Sequence, residues 1–198
     1  MIGAELRDRL RSFEPARIED GDRRRAAVTL ALHSEADGQP RVWLTLRSAG
    51  LRQHASQFAF PGGRLDPGED AFTAARRELH EELGVALGRE SYLARLDDYA
   101  TRSGYVITPF VVDAGQNPVT APNPGEVAEL FAPTLPELDV TPRFLRIPES
   151  ERPVIQLPLL GTLIHAPTAA ILYQFRELAL HGRRIAVADY EQPVFAWK

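Results

Sequence analysis

Leu6 and Leu10, four residues apart among charged neighbours, predict a short amphipathic helix at the start of the chain. The charged stretch Glu19–Arg25 reads as a loop, and the apolar run Ala26–Leu32 as a buried strand. Gly38-Gln39-Pro40 marks a turn and Val42–Leu46 a second strand, so these two strands are expected to form a hairpin. Gln57–Phe60 reads as a short strand that ends at Pro61-Gly62-Gly63. The strongest helical pattern covers Ala71–Leu83 and is closed by Gly84. Further on, Leu93–Ala100, Tyr105–Val112 and Glu126–Ala132 read as strands, with a turn at Thr101–Gly104. Residues 133–160 hold many of the 16 prolines and are expected to be irregular or to form edge strands. A second long helix, Thr168–Leu180, stops before Gly182. Strands and helices interleave without a regular βαβ rhythm, and no linker or repeat divides the chain. The expectation is one domain over residues 1–198, of the α/β class, with a mixed sheet covered by helices.

Charge and composition narrow the function. The 23 basic and 27 acidic residues give a net charge of −4. This argues against nucleic acid or an anionic membrane held by bulk charge, but leaves room for an anionic small molecule at a locally positive site. The absence of cysteine excludes disulfides, thiolate catalysis, zinc–thiolate sites and Fe–S clusters, and makes a reducing cytoplasm the expected location. No apolar run reaches ~18 residues, and Met1–Arg11 lacks the apolar core of a signal peptide.

The helix predicted at 71–83 carries the candidate chemistry. At about 100° per residue, with Glu78 at the origin, Glu81 falls near 300° and Glu82 near 40°. The three carboxylates share an arc about 100° wide. Phe72, Ala75, Leu79 and Leu83 form the adjoining apolar stripe, and Arg77 flanks the acidic arc on its other side. Three like charges at this spacing repel one another, so the arc is either a solvated face or a site for a hard cation that takes oxygen ligands. Gly62-Gly63 and Glu69, just ahead of the helix, favour the second reading, because glycine lets backbone approach closely.

The spacing is specific. Gly63, Glu69 and the run Arg77-Glu78-Leu79-His80-Glu81-Glu82-Leu83-Gly84-Val85 follow G-x5-E-x7-R-E-U-x-E-E-x-G-U, with U aliphatic. This resembles the Nudix box at every fixed position, and a chance match in a chain of this length is on the order of 10⁻⁷ or less. The resemblance implies a Nudix-type α/β/α sandwich with a mixed β-sheet and a loop–helix–loop catalytic motif at residues 63–85. Residues 1–24 would then form an N-terminal helix and loop. It also implies hydrolysis of a nucleoside diphosphate linked to another group, with Mg²⁺ or Mn²⁺ as cofactor. Carried over by position, Glu78 and Glu82 would be the main metal ligands, Glu81 a ligand or the general base, and the Gly63 carbonyl a further ligand. Arg77 and Glu69 would hold loop and helix together by an ion pair. Metals in such a site neutralise a diphosphate, polarise phosphorus and lower the pKa of the attacking water.

Segments outside the box are more selective about substrate. Trp43–Gly63 is similar to the pattern L-L-T-x-R-[SA]-x3-R-x3-G-x3-F-P-G-G of the coenzyme A pyrophosphatase branch. Leu44, Thr45, Arg47, Ser48, Arg52 and Phe60-Pro61-Gly62-Gly63 match it, Trp43 replaces Leu, and Ser56 replaces Gly. Thr101–Phe110, Asn123–Val127 and Thr168–Leu172 resemble the same branch. The implied reaction splits coenzyme A or acyl-CoA into 4′-phosphopantetheine, or its acyl form, and adenosine 3′,5′-bisphosphate. Arg47, Arg52 and His54 are candidates for substrate phosphates, since arginine presents a fork suited to phosphate oxygens. Glu126 and Glu129 join Glu81 as candidates for the base. Tyr105 and Phe110 read as core or wall residues, either of which is a candidate for stacking on adenine. His33, His80, His165 and His181 do not cluster and read as structural or exposed. An alternative is a Nudix enzyme for ADP-ribose, NADH or another nucleoside diphosphate derivative. A non-catalytic nucleotide-binding regulator is a third reading, disfavoured by the intact Glu78, Glu81 and Glu82. A homodimer is left open.

Overall fold

The computed structural model describes residues 2–19, 21–50 and 56–197. In chain order the elements are α1 (Ala4–Arg11), β1 (Arg24–Ser34), β2 (Pro40–Val42), β3 (Leu44–Arg47), β4 (Phe58–Ala59), β5 (Gly62–Arg64) and α2 (Ala71–Leu83). They continue with β6 (Tyr92–Arg95), β7 (Tyr99–Ala100), β8 (Tyr105–Gln116), β9 (Val127–Phe131), β10 (Arg143–Ile147), β11 (Ser150–Leu159), β12 (Thr162–His165) and α3 (Thr168–His181). A six-stranded mixed sheet is centred on β1, which runs parallel to β8 on one side and antiparallel to β2 and β5 on the other. Strands β6 and β7 pair in turn with β8. Two three-stranded sheets, β4-β3-β9 and β10-β11-β12, complete the β-structure.

Helices cover both faces of the large sheet, giving the expected α/β/α sandwich. Ala27 and Ala31 of β1 pack with Phe110 and Val112 of β8 against Phe72, Ala75, Leu79 and Leu83 of α2. Leu30 and Leu32, on the opposite face, join Ile171 and Phe175 of α3. A strand buried on both sides must be apolar at every position, which is why Ala26–Leu32 reads as a continuous run. The small Ala27 and Ala31 let α2 lie close, and the Thr29 hydroxyl between them donates to the Ala75 carbonyl at 2.9 Å. Asp70 caps α2 by accepting from the amides of Phe72 and Thr73, and Gly84 ends it at φ 72°. Leu10 of α1 is buried, and the Arg9 guanidinium donates to the Ala179 carbonyl of α3 at 2.8 Å.

Four local expectations are corrected. The segment Val42–Leu46 is split at Trp43: β2 completes the hairpin with β1, whereas β3 belongs to the sheet with β4 and β9. The segment Leu93–Ala100 is interrupted at residues 96–98. There the buried carboxylates of Asp97 and Asp98 accept from the amides of Ala16 and Ile18, at 2.7 and 2.9 Å, and so satisfy the backbone of the N-terminal arm. The charged loop ends earlier, because β1 begins at Arg24. The proline-rich region is irregular over residues 133–142 and β10 is an edge strand, as expected, but β11 is the central strand of its sheet. Its Pro158 pairs with β12 beyond the last β10 partner at Gln156, so the missing N–H leaves no gap in that ladder.

A buried carboxylate fixes the C-terminal segment. Glu191, 1% exposed, accepts from Arg102 at 2.5 Å, Arg152 at 2.7 Å and the Ser150 hydroxyl at 2.9 Å. The neighbouring Gln192 side chain accepts from the Arg102 amide at 2.8 Å, which ties the 101–104 turn to the same segment. Burial pushes the Glu191 carboxyl up, but the Arg102 bond and the other donors outweigh it and bring it down to about 2 from an ordinary value of 4.5. A depressed carboxyl contributes stability above its unfolded pKa and loses it as pH falls toward the folded one. Glu191→Gln is therefore expected to lower stability near neutral pH by about 1.5–3 kcal/mol. The gap to the parent protein should close between pH 4.5 and 2, as read by thermal melts across that range.

Candidate active site

The helix face that carries the acids is drawn against glycine backbone. A Cβ at Gly63 would overlap the Glu78 carboxylate, and a Cβ at Gly62 would overlap the Ala27 carbonyl. Only glycine at both positions lets β5 lie against β1 while Glu78 lies over it. Glu82 is 2% exposed and Glu81 is half-exposed, so the three carboxylates grade from core to solvent along one face.

Arg77 organises the loop and the helix. Its guanidinium meets Glu69 in a two-pronged contact at 3.0 and 2.9 Å, and also donates to the Arg64 carbonyl at 3.0 Å. Its third nitrogen donates to Glu78 at 2.8 Å and to Glu81 at 3.0 Å. The Arg77 bond holds the Glu69 carboxyl below its usual range, and the same bond raises Arg77. Burial raises Glu78 despite Arg77, with Glu81 and Glu126 adding repulsion. Burial pushes Glu82 up to about 8, against the opposing pull of Arg47, whose guanidinium lies 3.7 Å from it. The charge of Glu126 is near enough to repel both Glu78 and Glu82, whereas Glu129 is exposed on β9.

A cavity of about 240 Å³ opens beside Gly62 and Gly63. Arg47 and Arg64 lie at its wall, Phe58, Phe60, Ile107 and Ile171 supply apolar surface, and Thr101, Ser103 and Gln192 supply polar groups. Tyr105 also lines it, but its ring carries the Arg24 guanidinium 4.1 Å from the centroid, which takes a face that adenine would need. Phe110 is buried between Phe72 and Tyr92 and belongs to the core. Arg52 and His54 lie outside the described residues. Ser56, where the branch pattern has glycine, adopts φ 57°, the left-handed conformation that glycine enters most easily. His33 stacks on Trp43 in the core, His80 is exposed, His165 bonds Gln156 and His181 bonds Asp139. The sequence pattern did not single out Asp70, Arg64 or Gln192. Of these, Asp70 was legible as an N-cap just ahead of an apolar periodic run.

The family model described as "NUDIX domain" matches residues 23–157. The chain belongs to the Nudix family. It is 38% identical over 124 residues to the uncharacterized Nudix hydrolase NudL of Photorhabdus laumondii, covering 62% of this chain and 65% of that one. To NudL of Yersinia pestis it is 38% identical over 112 residues, with 54% of each chain covered. The chain thus spans 54–65% of the length of these curated relatives. A Nudix hydrolase from M. smegmatis, RenU, shares the fold with a TM-score of 0.56 at 23% identity, over 83% of this chain and 90% of that one.

Nudix hydrolases generally use divalent ions such as Mg²⁺ or Mn²⁺, and the residues present suit one. Glu82 Oε2 is buried without a hydrogen-bond partner, an oxygen whose desolvated charge a cation would compensate. Among the described residues no three acidic or histidine side chains converge into a ready-made cage. Mg²⁺ does not require one, because it keeps several waters and shares phosphate oxygens. Without metal, ionising Glu82 opposes folding: its folded pKa of about 8 exceeds the ordinary 4.5, so stability falls as pH rises through that window. In chelator, Glu82→Gln is expected to melt above the parent protein, by a margin that widens from pH 4.5 to 8. Mg²⁺ should raise the melting temperature of the parent but not of the variant, and thermal melts with and without Mg²⁺ read both effects.

Proposed function

We propose that this protein is a Mg²⁺- or Mn²⁺-dependent hydrolase that splits coenzyme A or acyl-CoA at the diphosphate. The observation that carries this reading is convergence. Residues of the segments 43–63, 101–110 and 168–172, each similar to the coenzyme A branch, line one cavity beside Gly62 and Gly63. Among the described residues its lining includes two arginines and no carboxylate, which suits an anionic substrate next to an acidic cation site.

In this reading Glu78, Glu82 and the Gly63 carbonyl hold the cation, which supplies charge neutralisation of the diphosphate and activation of water. Glu69 and Arg77 keep loop and helix in register. Arg47, at the cavity wall beside Glu82, reaches a diphosphate oxygen. Glu126 accepts the proton of the attacking water, since its charge is near enough to repel Glu78 and Glu82 and no Arg77 contact engages it as one engages Glu81. The half-exposed Glu81 is the alternative acceptor. Arg52 and His54 remain candidates for substrate phosphates.

The expected products are 4′-phosphopantetheine, or its acyl form, and adenosine 3′,5′-bisphosphate, resolved by chromatography from a panel that includes ADP-ribose and NADH. Turnover of ADP-ribose or NADH with none of coenzyme A would overturn the substrate. No metal-dependent turnover of any member would overturn the enzyme reading in favour of a binding protein. Glu78→Gln and Glu82→Gln should each lower kcat by about 10²-fold or more while the fold persists. Glu126→Gln should lose a similar factor together with the acidic limb of the pH–rate profile, and retention of that limb in Glu126→Gln but not in Glu81→Gln would move the base to Glu81.

A further inference from the structure

Three neighbouring strands bring two arginines and a tyrosine to one end of the sheet face that forms the cavity. Side chains alternate along a strand, so Arg24, Ala26 and Val28 of β1 share a face, and Ala26 and Val28 line the cavity. In register, Arg24 pairs with Tyr105 of β8 and Ala26 with Arg64 of β5. The Arg24 guanidinium lies 4.1 Å and that of Arg64 5.3 Å from the Tyr105 ring centroid.

Like charges gathered at one ring repel each other unless an anion joins them. Among the described residues neither Arg24 nor Arg64 has a carboxylate partner. Structural arginines elsewhere in the fold, such as Arg77, Arg95, Arg102 and Arg176, do have one. Arg24 is held in place by the Tyr105 face and by the Ser103 carbonyl at 3.1 Å, a contact that uses one of its two terminal nitrogens. The Tyr105 hydroxyl is buried with no hydrogen-bond partner. This is a cationic, donor-rich corner with no anion of its own.

We propose that Arg24 and Arg64 form a subsite for a phosphate monoester borne on the sugar next to the scissile diphosphate. Arg64 directly follows Gly63, so a diphosphate at the acidic helix face leaves the adjoining ribose within reach of this corner. Resting on the coenzyme A reading above, the group bound is the 3′-phosphate of the adenosine. A phosphate dianion between two guanidiniums receives charge-assisted, fork-shaped hydrogen bonds. The subsite therefore selects for substrates that carry the additional phosphate, separately from the cation site that binds the diphosphate.

The test compares coenzyme A with 3′-dephospho-coenzyme A in the parent protein, Arg24→Ala, Arg64→Ala and the double variant. The parent is expected to show the lower KM for coenzyme A, by about ten-fold or more. Each variant should raise that KM with kcat little changed, and the double variant should bring the ratio of the two substrates close to one. Equal losses on both substrates, or an unchanged ratio, would overturn the subsite. If coenzyme A proves not to be turned over, equilibrium titration with adenosine 3′,5′-bisphosphate against AMP separates the questions. Tighter binding of the bisphosphate that vanishes in the double variant sustains the subsite while the substrate assignment fails. Equal affinities in the parent protein overturn the subsite itself.

Discussion

The close approach of α2 to β1 and β5 sets the geometry of everything around it. Ala27, Thr29 and Ala31 present little bulk to the helix, and Gly62 and Gly63 present none. The helix settles deeply enough that Glu82, one residue from its C-terminal end, leaves solvent almost entirely. Larger residues at these positions would lift α2 and return its acidic face to water. The desolvated carboxylates would then lose the unsatisfied charge that suits them to a cation.

Arg77 makes this arrangement tolerable. Four carboxylates, Glu69, Glu78, Glu81 and Glu82, crowd a single loop and helix, and one guanidinium engages three of them while holding the Arg64 carbonyl. Glu82 is the exception: Arg77 does not engage it, and the nearest guanidinium given for it is that of Arg47, at 3.7 Å. Charge therefore falls into two parts: a compensated group that fixes the loop, and an under-compensated residue beside the cavity.

The remaining parts of the chain position the cavity wall. The third sheet and the C-terminal segment lie far from the acidic helix in sequence, yet Glu191 links Arg102, Arg152 and Ser150 and so steadies the turn that contributes Thr101 and Ser103 to the lining. The N-terminal helix braces α3 through Leu10 and Arg9, and α3 in turn supplies Thr168 and Ile171 to the same wall. Segments with no chemistry of their own thus decide the shape of the space beside Gly62 and Gly63.

The sequence by itself determined the helix of the box, its core stripe and the side on which its carboxylates lie, because all three follow from periodicity and from residues within one or two helical turns of each other. It also determined the family, since the spacing of Gly63, Glu69 and Arg77–Val85 is a local property. The tertiary structure alone decided that Glu82 is buried and Glu81 half-exposed, because an arc on a helical wheel does not say how deeply the helix sinks. It also separated Val42 from Leu44 into different sheets, a choice made by partners some 90 residues away on β9. The proline-rich segment became a sheet because its strands found one another in a register that leaves Pro158 beyond the end of β10, which composition does not encode. The pairing of Arg24 and Arg64 around Tyr105 was likewise invisible along the chain. Those residues are distant in sequence and meet only because β5, β1 and β8 lie side by side.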